Sequence, residues 1–212
     1  MSASAILPPA KPKATREDIL AHCQATNHPI TGPITVVSFR GYYARTMGAT
    51  KGNDRGIYDD ALFIIGPNTF AAFNGNNDPS VARDNVATLQ PGRYLYQPGI
   101  HGLSRPAAQQ YPAFVQAGPV IVCRDGTERT PAGHEDDSLG YCLGNSLWTD
   151  AKWWPNDRFA INIHRGGNST TSSLGCQTLP PDQWDAFHSL LMLELKRAGA
   201  KTFDLVVVPP AA

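Results

Sequence analysis

Short apolar runs, rich in β-branched or aromatic residues and each closed by Gly, Pro, Asn or Asp, recur along the chain and leave room for little helix. "ITVVSF" (34–39), "ALFIIG" (61–66) and "TFAAFNG" (69–75) read as strands, the last two meeting across the turn "GPN". "GRYLYQPG" (92–99) alternates and ends at Pro-Gly, and "PVIVCRDG" (119–126) runs into an Asp-Gly turn. "RFAINIHRGG" (158–167) sets Phe159, Ile161 and Ile163 against Ala160, Asn162 and His164, a strand that delivers His164 at its end. "TFDLVVVPP" closes the chain as a last strand. The 19 Gly and 18 Pro favour many turns over a helical bundle.

Two stretches break this pattern. Thr15 and Asp18 give an S/T-x-x-acid start, and Ile19, Leu20 and Cys23 form an apolar stripe, so a short helix is expected over 16–25. After Cys176, Pro181 and Asp182 open a longer helix. Its Trp184, Phe187, Leu191 and Leu195 keep helical spacing until Gly199. The expected class is therefore α+β and β-rich, a mixed sheet or sandwich core with a short N-terminal helix and a longer one after Cys176. Pro8, Pro9 and Pro12 predict a flexible leader over 1–14. Residues 15–212 read as a single domain, in which about 15–100 form an N-terminal extension without an assigned role.

Charge excludes some classes. The 18 basic and 18 acidic residues cancel and leave no basic stripe for nucleic acid. No apolar run approaches the roughly 20 residues that span a bilayer. "MSASAILPPAKPKATRED" lacks a basic region followed by an apolar stretch, so no signal peptide is expected. Cys23, Cys123, Cys142 and Cys176 fit no zinc spacing, and free thiols are the default.

The stretch with chemical content is "NIHRGGNSTTSSLGCQTLPPDQW" (162–184), where a Gly/Ser/Thr loop separates His164 from Cys176. A thiol is a nucleophile only as thiolate, and a nearby imidazole can take its proton. A flexible loop folding back through Gly166, Gly167 and Gly175 would bring the two together as a thiolate–imidazolium pair. Backbone N–H groups around Leu174–Cys176 would then serve as an oxyanion hole. Ser172 and Ser173 are candidates to orient the imidazole or contact substrate. A buried, inert Cys and a structural His are the alternative.

This stretch resembles the signature of the L,D-transpeptidase catalytic domain family (YkuD-like). "NIHRGG" gives His164 the place of the family's general base. "SLGC" gives Ser173, Gly175 and Cys176 the family's Ser, Gly and nucleophilic Cys. "PPDQWDAF" resembles the helix that follows, and "WTDAKWWPNDRF" the aromatic lead-in. Leu174 and Thr178 stand where the family has His and Arg. The resemblance covers about 145–195. It implies acyl transfer on peptidoglycan stem peptides through a thioester on Cys176, resolved by an amine (transpeptidase) or by water (carboxypeptidase or endopeptidase). His164 would be the base, with Ser173 and Gly175 shaping the site. Trp154, Arg165, Ser172 and His101 would line the substrate groove. No metal or other cofactor is needed. Such a protein would act in the periplasm or cell wall after delivery by phage or secretion machinery, and would otherwise be cytoplasmic. The rival readings are a non-catalytic cell-wall or virion structural module with the same fold, and a cysteine peptidase or amidase acting on ordinary proteins.

Other polar clusters admit plainer readings. His101 in "GIHGLSRP" is a groove residue, a second base or a turn residue. Arg83 and Arg93 are carboxylate ligands or solvated surface. "NDRGIYDD" and "NGNNDPS" read as turns, since neither fits a calcium loop. His134, Glu135, Asp136 and Asp137 read as a solvated acidic loop. His22 and Cys23 are helix neighbours that point apart and form no dyad.

Overall fold

The computed structural model describes residues 6–47, 55–81, 86–124, 135–136, 141–142, 147–149 and 161–209. Thr15 caps the first helix, α1 (Arg16–Ala25), by accepting from the Asp18 N–H, while the Asp18 carboxylate accepts from the Thr15 N–H. The stretch expected as a flexible leader is irregular, as its prolines dictate. From Ile6 onward, however, it lies along the domain. Ile6 is buried, its carbonyl accepts from the Tyr58 N–H at 2.7 Å, and the Ala10 carbonyl accepts from the Tyr43 hydroxyl at 2.9 Å.

The strands are β1 (Thr35–Phe39), β2 (Asp60–Ile65), β3 (Phe70–Gly75), β4 (Ala87–Leu89), β5 (Gly92–His101), β6 (Tyr111–Gln116) and β7 (Ile121–Arg124). There follow β8 (Glu135–Asp136), β9 (Tyr141–Cys142), β10 (Leu147–Thr149), β11 (Ile163–Arg165), β12 (Gln177–Leu179) and β13 (Phe203–Val208). Eight of them form one mixed sheet in the order β12-β11-β6-β5-β13-β1-β2-β3. The chain's last strand, β13, lies in the middle, parallel to β1 and antiparallel to β5. The first hundred residues therefore share a sheet with the C-terminal half. β10-β7-β4 form a smaller antiparallel sheet, and β8 pairs with β9.

The large sheet curls until its two edges touch. Beyond β3, Asn76 and Thr178 of the opposite edge strand β12 exchange both backbone hydrogen bonds, each 2.9 Å. The result is a nearly closed, barrel-like shape, which removes much of the free edge. The second helix, α2 (Pro181–Ala198), starts with Pro181 in its first turn and stops at Gly199, whose φ of 61° is left-handed. It buries Trp184, Phe187, Leu191 and Leu195 among Phe73, Phe114, Ile163 and Leu205. Burying Phe187 and Leu191 contributes about 1.5–3 kcal/mol each. Among the described residues, no helix is long and apolar enough to cross a membrane.

Candidate active site

β11 and β12 run parallel, with Ile163 opposite Gln177 and His164 opposite Thr178. One step earlier, the Gln177 N–H donates to the Asn162 carbonyl at 2.9 Å, which sets Cys176 beside Asn162. The Asn162 N–H donates to the Cys176 sulfur at 3.3 Å. The strand expected to be buried on one face is buried on both: Ile161 and Ile163 lie in the core with Phe187 and Leu191 of α2, while His101 packs against His164 and Asn162. Phe159, Ala160 and Trp154 lie outside the described residues.

His164 Nδ1 is 2.7 Å from the Arg165 carbonyl oxygen and 3.0 Å from the Tyr111 hydroxyl. A carbonyl only accepts, so the hydrogen-bond network assigns the proton to Nδ1. That leaves Nε2 as the basic nitrogen, with a backbone carbonyl orienting the base. His101 stacks on His164 with ring centroids 4.0 Å apart, and its Nδ1 lies 3.1 Å from Asn162 Nδ2. Tyr111, opposite His101 at the end of the β5–β6 hairpin, completes the cluster.

The surroundings of the two groups oppose the expected ion pair. Burial holds the His164 imidazole down at about 3, with the neighbouring His101 adding to the effect and the Arg165 carbonyl opposing it. Burial likewise pushes the Cys176 thiol up to about 11, against the Asn162 N–H and the Arg105 charge. Both shifts favour a thiol beside a neutral imidazole at neutral pH, which couples proton transfer to sulfur attack.

The loop between His164 and Cys176 is not the flexible span its composition suggests. The Tyr58 hydroxyl donates to the Gly167 carbonyl at 2.7 Å, and the Ala87 N–H donates to the Leu174 carbonyl at 3.1 Å. Ser80 Oγ accepts from the Ser173 N–H at 2.7 Å and meets Thr171 Oγ1 at 2.6 Å. Ser173, a candidate orienting or oxyanion residue, instead serves the loop's own backbone. Its hydroxyl donates to the Cys176 carbonyl at 2.7 Å and accepts from the Gly175 N–H at 2.9 Å. The Gly175 N–H is therefore engaged within the loop and does not offer itself to an oxyanion. Gly175 has a φ of 142°, and a Cβ there would run into the Ala87 carbonyl and come within 2.9 Å of Ile161 Cδ1. Ser172 is exposed, left-handed at φ 57°, and turns the loop.

Leu174 and Thr178 have separate local explanations. Leu174 projects outward at 54% exposure, whereas Thr178 is buried in the contact that joins the sheet edges. Arg165 is exposed, with its guanidinium 5.5 Å from the Tyr111 ring centroid. Arg93 pairs with Asp204 at 3.9 Å and bonds to Thr31 and the Pro29 carbonyl, a structural role. His22 stacks on Phe39, while Cys23 is buried in the core. Arg83, His134 and Asp137 lie outside the described residues, as do the side chains of Glu135, Asp136, Cys123 and Cys142. Among the described residues no group of three or more His, Cys, Asp or Glu is placed to hold a metal ion.

Tyr111 and Asn162 are the residues that sequence reading did not single out. "YPAFVQ" carries Pro112 and little alternation, and Asn162 looked like one polar position on a strand. Searches against protein-family models, curated proteins and solved structures find no match for this chain.

Proposed function

We propose that the chain is a cysteine-dependent acyl-transfer enzyme acting on peptidoglycan stem peptides through a thioester. One observation carries the acyl-transfer part. Cys176 accepts the Asn162 N–H in the strand pair that holds His164, whose Nδ1 is tied to the Arg165 carbonyl. The stem-peptide part rests on the resemblance of "NIHRGG" and "SLGC" to the L,D-transpeptidase motif.

The sulfur attacks the scissile carbonyl as His164 Nε2 takes the thiol proton. The C–N bond then breaks, the imidazolium returns that proton to the departing amine, and a thioester remains on Cys176. Water or an amine resolves it, with His164 again accepting the proton. Mass spectrometry of disaccharide tetrapeptide incubated with wild type and with Cys176→Ala tests this. Loss of the terminal residue, a new cross-link or a Cys176 adduct in wild type alone supports the reading.

A second reading, a non-catalytic cell-wall or virion structural module, draws on the protonated resting thiol, with its pKa near 11. An unchanged tetrapeptide that is nonetheless retained by the folded protein would favour it.

A further inference from the structure

We infer that Tyr58 is a positioning residue for the His164 base, and that residues 6–14 are the strap that holds Tyr58 against the loop between His164 and Cys176. Its part in catalysis rests on the thioester reading above; the tie itself is geometric and does not.

Tyr58 joins two distant segments by its two ends. Its N–H donates to the Ile6 carbonyl at 2.7 Å, and its hydroxyl donates to the Gly167 carbonyl at 2.7 Å. The residue is buried, and burial pushes the phenol up, so the hydroxyl keeps the proton it donates. Gly166 makes the approach possible, since a Cβ there would collide with the Tyr58 hydroxyl.

The strap meets the domain at further points. Ile6, Pro8 and Pro12 are buried. The Ala10 carbonyl accepts from the Tyr43 hydroxyl at 2.9 Å, and the Tyr43 N–H donates at 2.7 Å to the carbonyl of Asp59, the residue after Tyr58. The Tyr42 hydroxyl accepts from the Ala14 N–H at 3.1 Å. Pro8, Pro9 and Pro12 bring no N–H donors and fix φ, which lowers the entropy lost when an irregular segment docks.

The bond to Gly167 bears on the base. Gly167 follows Arg165 by two residues, and the Arg165 carbonyl accepts from His164 Nδ1 at 2.7 Å. The Gly166 N–H donates to the Leu179 carbonyl at 2.8 Å, so the run 165–167 is held by β12 on one side and by Tyr58 on the other. A carbonyl only accepts, and therefore keeps the imidazole proton on Nδ1 and leaves Nε2 free. The Tyr111 hydroxyl, 3.0 Å from the same Nδ1, can accept or donate. Once the run 165–167 loosens, Tyr111 donates to Nδ1 and the proton moves to Nε2, where it blocks the base. Tyr58 thus selects the useful tautomer without touching a reacting atom.

Long-range proton–nitrogen NMR of the imidazoles reads the tautomer on the full chain without substrate. Wild-type His164 should be in the Nδ1–H form at neutral pH. Tyr58→Phe keeps the ring and removes the donor, and should populate the Nε2–H form as well. Ile6→Ser loosens the strap while leaving Tyr58 unaltered, and should shift the tautomer in the same direction; it keeps the test alive if Tyr58→Phe does not fold. On disaccharide tetrapeptide, kcat should fall in both variants by about two- to tenfold at similar KM, the factor that the net worth of one hydrogen bond supports. Wild-type His164 in the Nε2–H form, or a tautomer unmoved in both variants, would overturn the positioning role. A shift in Tyr58→Phe with a folded, unshifted Ile6→Ser would overturn the strap. Tautomer shifts in the variants, with no turnover by wild type, would leave the tie standing and sink the thioester reading. Turnover by wild type with a kcat unaltered in both variants would spare the thioester and remove Tyr58 from its catalysis.

Discussion

His101 and His164 stack with their ring centroids 4.0 Å apart and 27° between planes, although they come from strands separated by β6. Two imidazoles so close do not both carry charge. Burial is the larger cause of the depression of His164 to about 3, and the His101 charge adds to it. The unfolded chain takes up a proton on His164 near 6.5, whereas the folded chain resists until about 3. Stability from this residue is therefore complete above about pH 6.5 and is lost progressively as the pH falls toward 3. The depression of His101, caused mainly by its burial, works in the same direction. Asp60, whose carboxyl is raised to about 8, acts with the opposite sign over the same range, so the readout is a difference: between pH 6.5 and 4, urea unfolding should show wild type losing more stability, or gaining less, than His164→Asn. Equal changes in the two proteins would show that His164 is not the titrating group.

The Cys176 thiol, held up to about 11 chiefly by burial, gives a second titration. A free cysteine ionises near 8.5, so at pH 7 the thiolate population here is smaller by roughly 100-fold or more. The alkylation rate without substrate should be correspondingly slow at neutral pH and should climb through pH 10. A resting thiolate–imidazolium pair would instead give a plateau of fast labelling between pH 5 and 7. Labelling followed by intact mass across that range decides between them.

Ser173 and Gly175 shape the turn that presents the sulfur. Ser173→Ala removes a donor to the Cys176 carbonyl and an acceptor for the Gly175 N–H, both in a buried place. The expected loss is about 1–3 kcal/mol of stability, readable by urea denaturation. Gly175→Ala meets the Ala87 backbone from an unfavourable φ and should cost more than Ser173→Ala. A Gly175→Ala protein as stable as wild type would mean that the loop can move away from β4.

What the sequence made legible was local. Thr15 and Asp18 announce α1 because a capping box involves four consecutive residues. Pro181, the Trp184–Phe187–Leu191–Leu195 spacing and Gly199 announce α2 for the same reason. His164 and Cys176 stood out because the motif is contiguous, and their strands pair side by side. The rest depends on contacts between distant residues. That His101 reaches His164 follows from the β5–β6 and β6–β11 registers, which no single segment encodes. The loop's Gly, Ser and Thr read as flexible, yet Tyr58, Ser80 and Ala87, roughly a hundred residues earlier, hold it in place. "NGNNDPS" read as a turn; it also carries Asn76, which joins the sheet edges, and Asp78, which meets a buried arginine.

That arginine gives the last prediction. Arg40 is fully buried, with Nε 3.2 Å from Asp78 Oδ1 and Nη2 donating to the Leu89 carbonyl at 2.9 Å. It joins the end of β1 to the loop after β3 and to β4, the strand beneath Leu174 and Gly175. Removing one partner of a buried pair leaves a charge that neither water nor protein satisfies, and costs about 3–5 kcal/mol. Asp60, also buried, modifies this outcome. Its carboxyl is pushed up by burial and by Asp78, while Arg40 pulls it down. With Asp78 gone, Asp60 ionises more readily and takes over part of the neutralisation. Asp78→Ala should therefore fall at the lower end of that range. The double variant Asp60→Ala with Asp78→Ala should lose more than the sum of the two single losses, because it removes both carboxylates. Urea denaturation of the three variants measures the coupling, and strictly additive losses would show that Asp60 does not serve Arg40.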